Sequence, residues 1–400
     1  MISRILAVCL ACTNPATLRV QVGHEVHQPV VIACPNCGTP MRLTLLLERP
    51  PYVGVRWDEN CAQGEVEGPV VNVGVGFLVA RGRANEDGYF PSLDMPEPNR
   101  EELMRLLETG GPVLIDRAMA LGGLPGAAEL WGTLRRAMRF RRTDQRDRVQ
   151  VELQRFWEGF DENDETLEGT LFSFLMRFLA PNAENLMNPI LGAMKQARDN
   201  DPVEWERFTA HFSDMASERF TAYEEQLDEY FRAYAEYNQT LVYVRNGLGM
   251  PDDVVATSTD FERTQMFYGN AFELLGSHID FVAALNNMLS GRPFDQMNAM
   301  TLNFYRTNVN KANRTACFAD NPVLIWFVAE YDSTIRNASH HRWFRLNEER
   351  TEISFRSGGN GALQTMSYAD YLYKCNRLLI ELMILASAEL VLMLHANKTL

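Results

Sequence analysis

Residues Asn321-Pro322-Val323-Leu324-Ile325-Trp326-Phe327-Val328-Ala329-Glu330-Tyr331-Asp332-Ser333-Thr334-Ile335-Arg336-Asn337-Ala338-Ser339-His340-His341 join a helical pattern to a polar terminus. Asn321 followed by Pro322 is a start signal: a capping side chain, then a residue whose missing N–H costs nothing in the first turn. Leu324, Phe327, Val328, Tyr331 and Ile335 fall at i, i+3, i+4, i+7 and i+11, which predicts one helix facing a core. Arg336 lies just beyond that stripe, with Asp332 four residues earlier, in reach of the guanidinium. Further on, Ile353-Ser354-Phe355 reads as a short strand, Ser357-Gly358-Gly359-Asn360-Gly361 as a turn and Leu363-Gln364-Thr365 as a return strand. Ser367 with Asp370 three residues later predicts the capped start of a final helix.

Arg336-Asn337-x3-His341 resembles the signature of the HEPN superfamily, helical domains of prokaryotic toxins, phage-defence proteins and CRISPR-associated ribonucleases. That signature is an arginine, a polar residue (often asparagine), three variable residues and a histidine. The resemblance covers roughly residues 256–400. It implies a four-helix bundle that dimerises, so that two copies of the motif line one cleft. It also implies a metal-independent endoribonuclease acting in phage defence or a toxin-like stress response. Some members of the superfamily bind without cutting, so a non-catalytic RNA- or protein-binding module is the alternative.

The chemistry can be stated from the residues. RNA carries its own nucleophile, the 2′-hydroxyl beside the scissile phosphate. An imidazole titrates near neutral pH, so His341 can act as general base or acid, worth typically about 10²–10⁴-fold. Arg336 offers a fork of donors to the phosphorane oxygens, and Asn337 a further hydrogen bond. The product of such a reaction is a 2′,3′-cyclic phosphate. His340 is the competing imidazole, and Asp332 a supporting acid. A second reading of the same residues is structural: arginine, amide and histidine at a helix C-terminus also satisfy its last carbonyls.

At the other end, Cys9-x2-Cys12 and Cys34-Pro35-Asn36-Cys37-Gly38 form two C-x2-C knuckles separated by 21 residues. Four thiolates in two close pairs match a tetrahedral structural zinc site. Thr17 to Val22, the stretch around Val30 and Ile32, and Met41 to Leu47 alternate like strands, so this part reads as a zinc ribbon. His24 and His27 are rival ligands. The opening Met1 to Cys12 faintly resembles a lipoprotein signal, but its apolar stretch is very short, and export is not expected. No catalytic metal is expected.

The expected organisation is multidomain and mainly α. Residues 1–48 would be the ribbon, 49–98 a small β-rich segment, 99–255 a helical central region and 256–400 the HEPN-like bundle. Within 49–98, Pro69 to Val79 reads as strands, its glycines lack a following lysine and so form no phosphate loop, and Pro96-Glu97-Pro98 marks a linker before a helix start at Asn99. Phe220, Tyr223, Leu227, Tyr230, Tyr234, Tyr237, Leu241 and Val244 step by three and four, a packing seam rather than a base-stacking row.

With 38 basic against 52 acidic side chains and a net charge of −14 in 400 residues, a broad nucleic-acid-binding surface is not expected. Local basic clusters remain. Arg135, Arg136, Arg139, Arg141, Arg142, Arg146 and Arg148 form one, read either as a phosphate grip or as a face paired with acids. Arg342, Arg345, Arg350 and Arg356 are candidate RNA contacts beside the motif. Seven cysteines, of which Cys61, Cys317 and Cys375 are scattered, do not form a disulfide framework and fit a reducing cytoplasm. The sequons at Asn238, Asn313, Asn337 and Asn397 are then chance matches. The apolar run Leu378 to Leu394 contains Glu381 and Glu389, which predicts a buried helix and no membrane span. The expected partners are an RNA substrate, a second copy of the chain, and a regulatory protein or phage-derived trigger.

Overall fold

Two hairpins with the same kind of turn organise the N-terminal strands. β1 (Ile2–Cys9) pairs antiparallel with β2 (Pro15–Gln21), and β3 (His27–Ala33) with β4 (Pro40–Arg49). Each hairpin then gains later strands. β5 (Tyr52–Glu59) joins β4, β6 (Cys61–Gln63) joins β1, and β7 (Val70–Val73) runs parallel beside β2. The alternating residues Leu18, Val20, Val30, Ile32, Leu43 and Leu45 bury one common core. Glycine is required at Gly68, where a Cβ would lie 2.1 Å from the Pro15 carbonyl oxygen.

This computed structural model describes residues 2–22, 26–49, 52–73, 78–83, 124–258, 260–341, 343–356, 361–396 and 398–400. His24, residues 74–77, the Pro96-Glu97-Pro98 linker, the helix start at Asn99, Arg342, the turn residues 357–360 and Asn397 lie outside them. β8 (Val79–Ala80) pairs with β9 (Val254–Val255), and β10 (Arg345–Leu346), β11 (Glu352–Arg356) and β12 (Leu363–Ser367) form an antiparallel sheet. The helices are α1 (Ala127–Arg142), α2 (Arg146–Trp157), α3 (Leu167–Leu179), α4 (Ala183–Asn200), α5 (Pro202–Asp214) and α6 (Ala216–Arg232). They continue as α7 (Tyr234–Arg245), α8 (Phe261–Thr264), α9 (Phe267–His278) and α10 (Asp280–Leu289). The last are α11 (Leu302–Asn308), α12 (Ser333–His340) and α13 (Tyr368–His395).

The chain gathers into two compact units, each drawn from three stretches. Met1–Leu121, Ala233–Tyr268 and Asn337–Asn376 form the first; Gly122–Arg232, Gly269–Arg336 and Arg377–Leu400 form the second. The β4–β5 pairing joins strands on either side of residue 48.

Within the first unit, the buried Asn72 side chain on β7 spends all its hydrogen bonds on distant parts of the chain. Its amide donates to Gln239 Oε1 (3.2 Å) and the Val255 carbonyl (3.1 Å), and its oxygen accepts from Arg19 Nη1 (2.7 Å). The Asn72 backbone N–H donates to Thr257 Oγ1 at 2.9 Å. Gln239 on α7 in turn accepts from the Thr257 N–H and donates to the Thr257 carbonyl. This satisfied polar network fixes the β region against α7. The return strand and capped helix are as expected: Ser367 Oγ accepts from the Asp370 N–H (2.9 Å) and donates to its carboxylate (2.7 Å).

The second unit is helical. The tyrosine seam is split between α6, in this unit, and α7, in the first, rather than carried by one helix, and Tyr223, Tyr230, Tyr237 and Leu241 are buried as packing residues. Three arginines of α1 pair with acids: Arg135 with Asp228 (2.8 Å), Arg136 with Glu152 (2.9 Å) and Arg142 with Glu224. Four charged groups meet in the interior. Arg219 on α6 donates to Glu389 on α13 (2.8 Å) and to Asp280 (2.9 Å), while Arg306 reaches Asp280 from α11 at 2.5 Å. The Tyr223 hydroxyl donates to Glu389 at 2.9 Å. α13 is long and apolar enough to cross a bilayer, but 83% of its apolar window is buried in the protein.

His278 packs edge-on against Tyr223, ring centroids 4.7 Å apart, and its Nδ1 is buried without a partner among the described residues. Burial, then the neighbouring Arg219 and Lys311 charges, push its imidazole down to about 2. A folded value below the unfolded one means that the unfolded chain binds the proton first. This contribution to stability is present above about pH 6.5 and is lost as pH falls, by at most roughly 1.4 kcal/mol per pH unit. His278→Phe is expected to flatten the fall in unfolding free energy between pH 7 and 5.5, measured by urea denaturation. Parallel pH profiles for parent and variant would contradict this placement.

Candidate functional site

The two knuckles are built alike. The Cys9 N–H donates to the Asn14 carbonyl (3.1 Å) and the Thr13 N–H to the Cys9 carbonyl (2.8 Å). Correspondingly, the Cys34 N–H donates to the Thr39 carbonyl (2.9 Å) and the Gly38 N–H to the Cys34 carbonyl (2.9 Å). The fourth residue after each leading cysteine is left-handed, Thr13 at φ 59° and Gly38 at 74°. Glycine takes this conformation without strain; a β-branched threonine does not. The matched spacing of Thr13 and Gly38 was the sequence signal for this shared turn, and sequence reasoning passed over it.

These turns bring the four sulfurs of Cys9, Cys12, Cys34 and Cys37 within 4.8 Å of one another. Across the knuckles, Cys9 and Cys37 are 3.8 Å apart and Cys12 and Cys34 3.7 Å. Sulfurs bound tetrahedrally at about 2.3 Å from one ion sit about 3.8 Å from each other, whereas a disulfide needs about 2.05 Å. All four are free thiols, and they are placed to hold one metal ion. Their proton affinities are pulled apart. Burial pushes Cys34 up to about 12, and the Thr39 hydroxyl and N–H draw Cys37 down to about 6. A cation at the centre supplies the charge that would ionise all four together. A centre with four protein sulfurs leaves no position for a substrate. His27 lies at the far end of β3 from its knuckle, and Cys61, opposite Cys9 in the sheet, donates to the Arg42 carbonyl instead.

The segment before the Arg336 motif departs from the continuous helix expected. The Asn321 side chain accepts the Val323 N–H (3.0 Å) and donates to Asn286 (2.8 Å), which tightens the start into a turn. A 3-10 turn over Ile325–Val328 follows, and a new helix, α12, begins at Ser333. The stripe residues Leu324, Phe327 and Ile335 are nevertheless buried. Tyr331 stacks on Phe272 at 3.7 Å and donates to the Lys311 carbonyl, so side-chain packing replaces helical hydrogen bonds there. Asp332 caps α12, accepting the Thr334 N–H at 2.7 Å.

Arg336 belongs to the second unit, where its Nε donates to Glu273 Oε1 at 2.6 Å and Nη2 meets the same oxygen. Lys311 Nζ lies 2.8 Å from the other carboxylate oxygen. Burial raises the Glu273 carboxyl, but the bonds and charges of Lys311 and Arg336 outweigh it and hold the group below its usual range. Two cations share one carboxylate on a partly exposed surface. Sequence reasoning missed Glu273 because it lies 63 residues from Arg336.

Asn337 to His341 belong to the first unit. The His341 N–H donates to the Asn337 carbonyl at 3.1 Å, continuing the helical turn, and its side chain is exposed. His340 points the other way: its Nε2 is buried without a partner among the described residues. Ser339 donates to the Gln265 carbonyl at 2.6 Å and anchors the turn. Arg345 is exposed, whereas Arg350 and Arg356 donate to the carbonyls of Ser258 and Gly361 and so hold loops.

Elemental analysis of the purified protein is expected to find about one metal ion per chain, the number a single four-thiolate centre holds. Cys34→Ser is expected to lose that ion and to destabilise the first unit by several kcal/mol, on the order of what structural thiolate sites contribute. A Cys34→Ser protein with undiminished metal would rule the centre out. No family model, curated protein or solved structure matches this chain.

Proposed function

We propose that the protein is a metal-independent endoribonuclease of HEPN type, acting in the cytoplasm in phage defence or a toxin-like stress response. The observation that carries this reading is the exposed His341 imidazole closing the helix of the Arg336-Asn337-x3-His341 motif, while its neighbour His340 turns inward. His341 takes the proton from the 2′-hydroxyl or delivers one to the departing 5′-oxygen. Arg336, with Lys311 beside the shared Glu273, offsets the charge that builds on the phosphorane. Asn337 orients the phosphate or the imidazole. The bond from phosphorus to the 5′-oxygen breaks as the 2′-oxygen bond forms, giving a 2′,3′-cyclic phosphate. Residues 256–400 supply the bundle that dimerises and brings two motifs to one cleft. The thiol centre holds zinc in a structural role, and the N-terminal regions sense a protein or phage-derived trigger.

One observation favours the alternative of a binding module that does not cut. Arg336 already has a carboxylate partner in Glu273, and a neutralised guanidinium binds phosphate less strongly.

The triggered protein, incubated with total RNA in EDTA, is expected to yield cyclic-phosphate ends. Arg336→Ala and His341→Ala should each reduce cleavage about 10²-fold or more while leaving the circular dichroism spectrum unchanged. Equal cleavage by parent and variants would dispose of the catalytic assignment; tight RNA binding without product would favour the module.

A further inference from the structure

Of the six tryptophans in the chain, five are buried or half-buried, and Trp343 is 39% exposed. It follows His341 by two residues, at most about 7 Å of backbone, and both belong to the first unit. The Trp343 N–H donates to the Ala338 carbonyl at 2.9 Å, closing the end of α12, so the backbone beneath the ring is held in place. The indole itself makes no hydrogen bond and no ring contact among the described residues.

Its neighbour turns that ring outward. Phe344 is buried edge-on to Phe355 and Tyr371, with ring centroids 5.6 and 5.2 Å apart. Alternate residues of an extended chain point to opposite sides, so an anchored Phe344 sends Trp343 and Arg345 to the solvent side, and both are exposed. The sheet continues the same division. Arg345 pairs with Ser354 and Ser354 with Thr365 on the outer face, while Leu346, Ile353 and Met366 share the inner one, where Ile353 is fully buried. An indole therefore stands at the edge of a small open face that carries a cation and two hydroxyls. Stacking on a ring does not depend on net charge, so it suits a chain at −14 better than a broad basic surface would.

We infer that Trp343 is a base-stacking residue that selects single-stranded RNA. It holds the base of a nucleotide next to the scissile phosphate at His341, while Arg345 meets a phosphate of the same strand. A base inside a duplex has both faces covered by its neighbours, so only an unpaired nucleotide can lie on the indole. The inference rests on the ribonuclease reading for the identity of the strand, and its test is a binding measurement that needs no cleavage.

The measurement is fluorescence anisotropy of the full chain with a labelled single-stranded RNA oligonucleotide, 2′-O-methylated throughout so that it has no free nucleophile. Saturable binding of the single strand is expected, with binding of the same sequence as a duplex about tenfold weaker or more. Trp343→Ala should weaken single-strand binding about tenfold or more, the loss of one stacked base, and Trp343→Phe should restore most of it. Equal binding by the parent and Trp343→Ala proteins, equal binding of single strand and duplex, or no binding of either overturns the inference, whether or not the protein cleaves RNA. Binding that depends on Trp343, with no cleavage of unmodified RNA, supports the stacking role and counts against the nuclease reading alone.

Discussion

Four sulfur atoms held within 4.8 Å of one another constrain the N-terminal part of this protein more than any other contact. Two hairpins have to present their tips to a common point, which fixes the register of β1 on β2 and of β3 on β4. The left-handed backbone at Thr13 shows how strict the demand is, since threonine takes that conformation only where its surroundings insist on it. Once the tips are fixed, β5, β6 and β7 find edges at defined heights, and Asn72 arrives on β7 where Gln239 and Thr257 can meet its amide. The geometry set at the thiols is thus carried through a parallel strand to a buried polar contact with α7.

The second unit is organised by charge in its interior. Arg219 is almost wholly buried, and only the paired carboxylates of Asp280 and Glu389 make that tolerable. Removing either acid would leave an uncompensated cation in a dry environment, a far larger penalty than the pair's net contribution to stability. Burial, and after it the same guanidinium, keep a proton off His278, and Arg219 also ties α6 to α13. On the surface, Glu273 does similar work with weaker coupling, holding Lys311 and Arg336 together at a place that water still reaches.

The contrast between His340 and His341 bears on how the motif is read. Adjacent residues on a helix diverge by about 100°, so neighbouring imidazoles need not share an environment. The spacing of the motif picked His341, whose side chain is exposed just past the end of α12, while the Nε2 of its neighbour is buried. The partner of Arg336 had no such local rule. Asp332, one turn away, caps the helix, and Glu273 arrives from α9.

Local chemistry was legible in the chain by itself: the paired thiol knuckles, the Ser367 cap with its Asp370 partner, the strands around Ile353 and Leu363, and the inward-facing rows of Tyr223, Tyr230 and Tyr237. Each depends on residues a few positions apart, where backbone geometry alone decides who meets whom. Tertiary structure decided the rest. A helix predicted to run unbroken to Ile335 gave way to a tight turn because Asn321 found Asn286, and to a new start at Ser333 because Tyr331 found Phe272. The grouping of three distant stretches into each unit follows from contacts such as Asn72 with Gln239 and Arg219 with Glu389, which are 167 and 170 residues apart. Hydrogen-bond satisfaction and charge burial are properties of a packed interior, and no periodicity in the chain announces which distant residue will supply the partner.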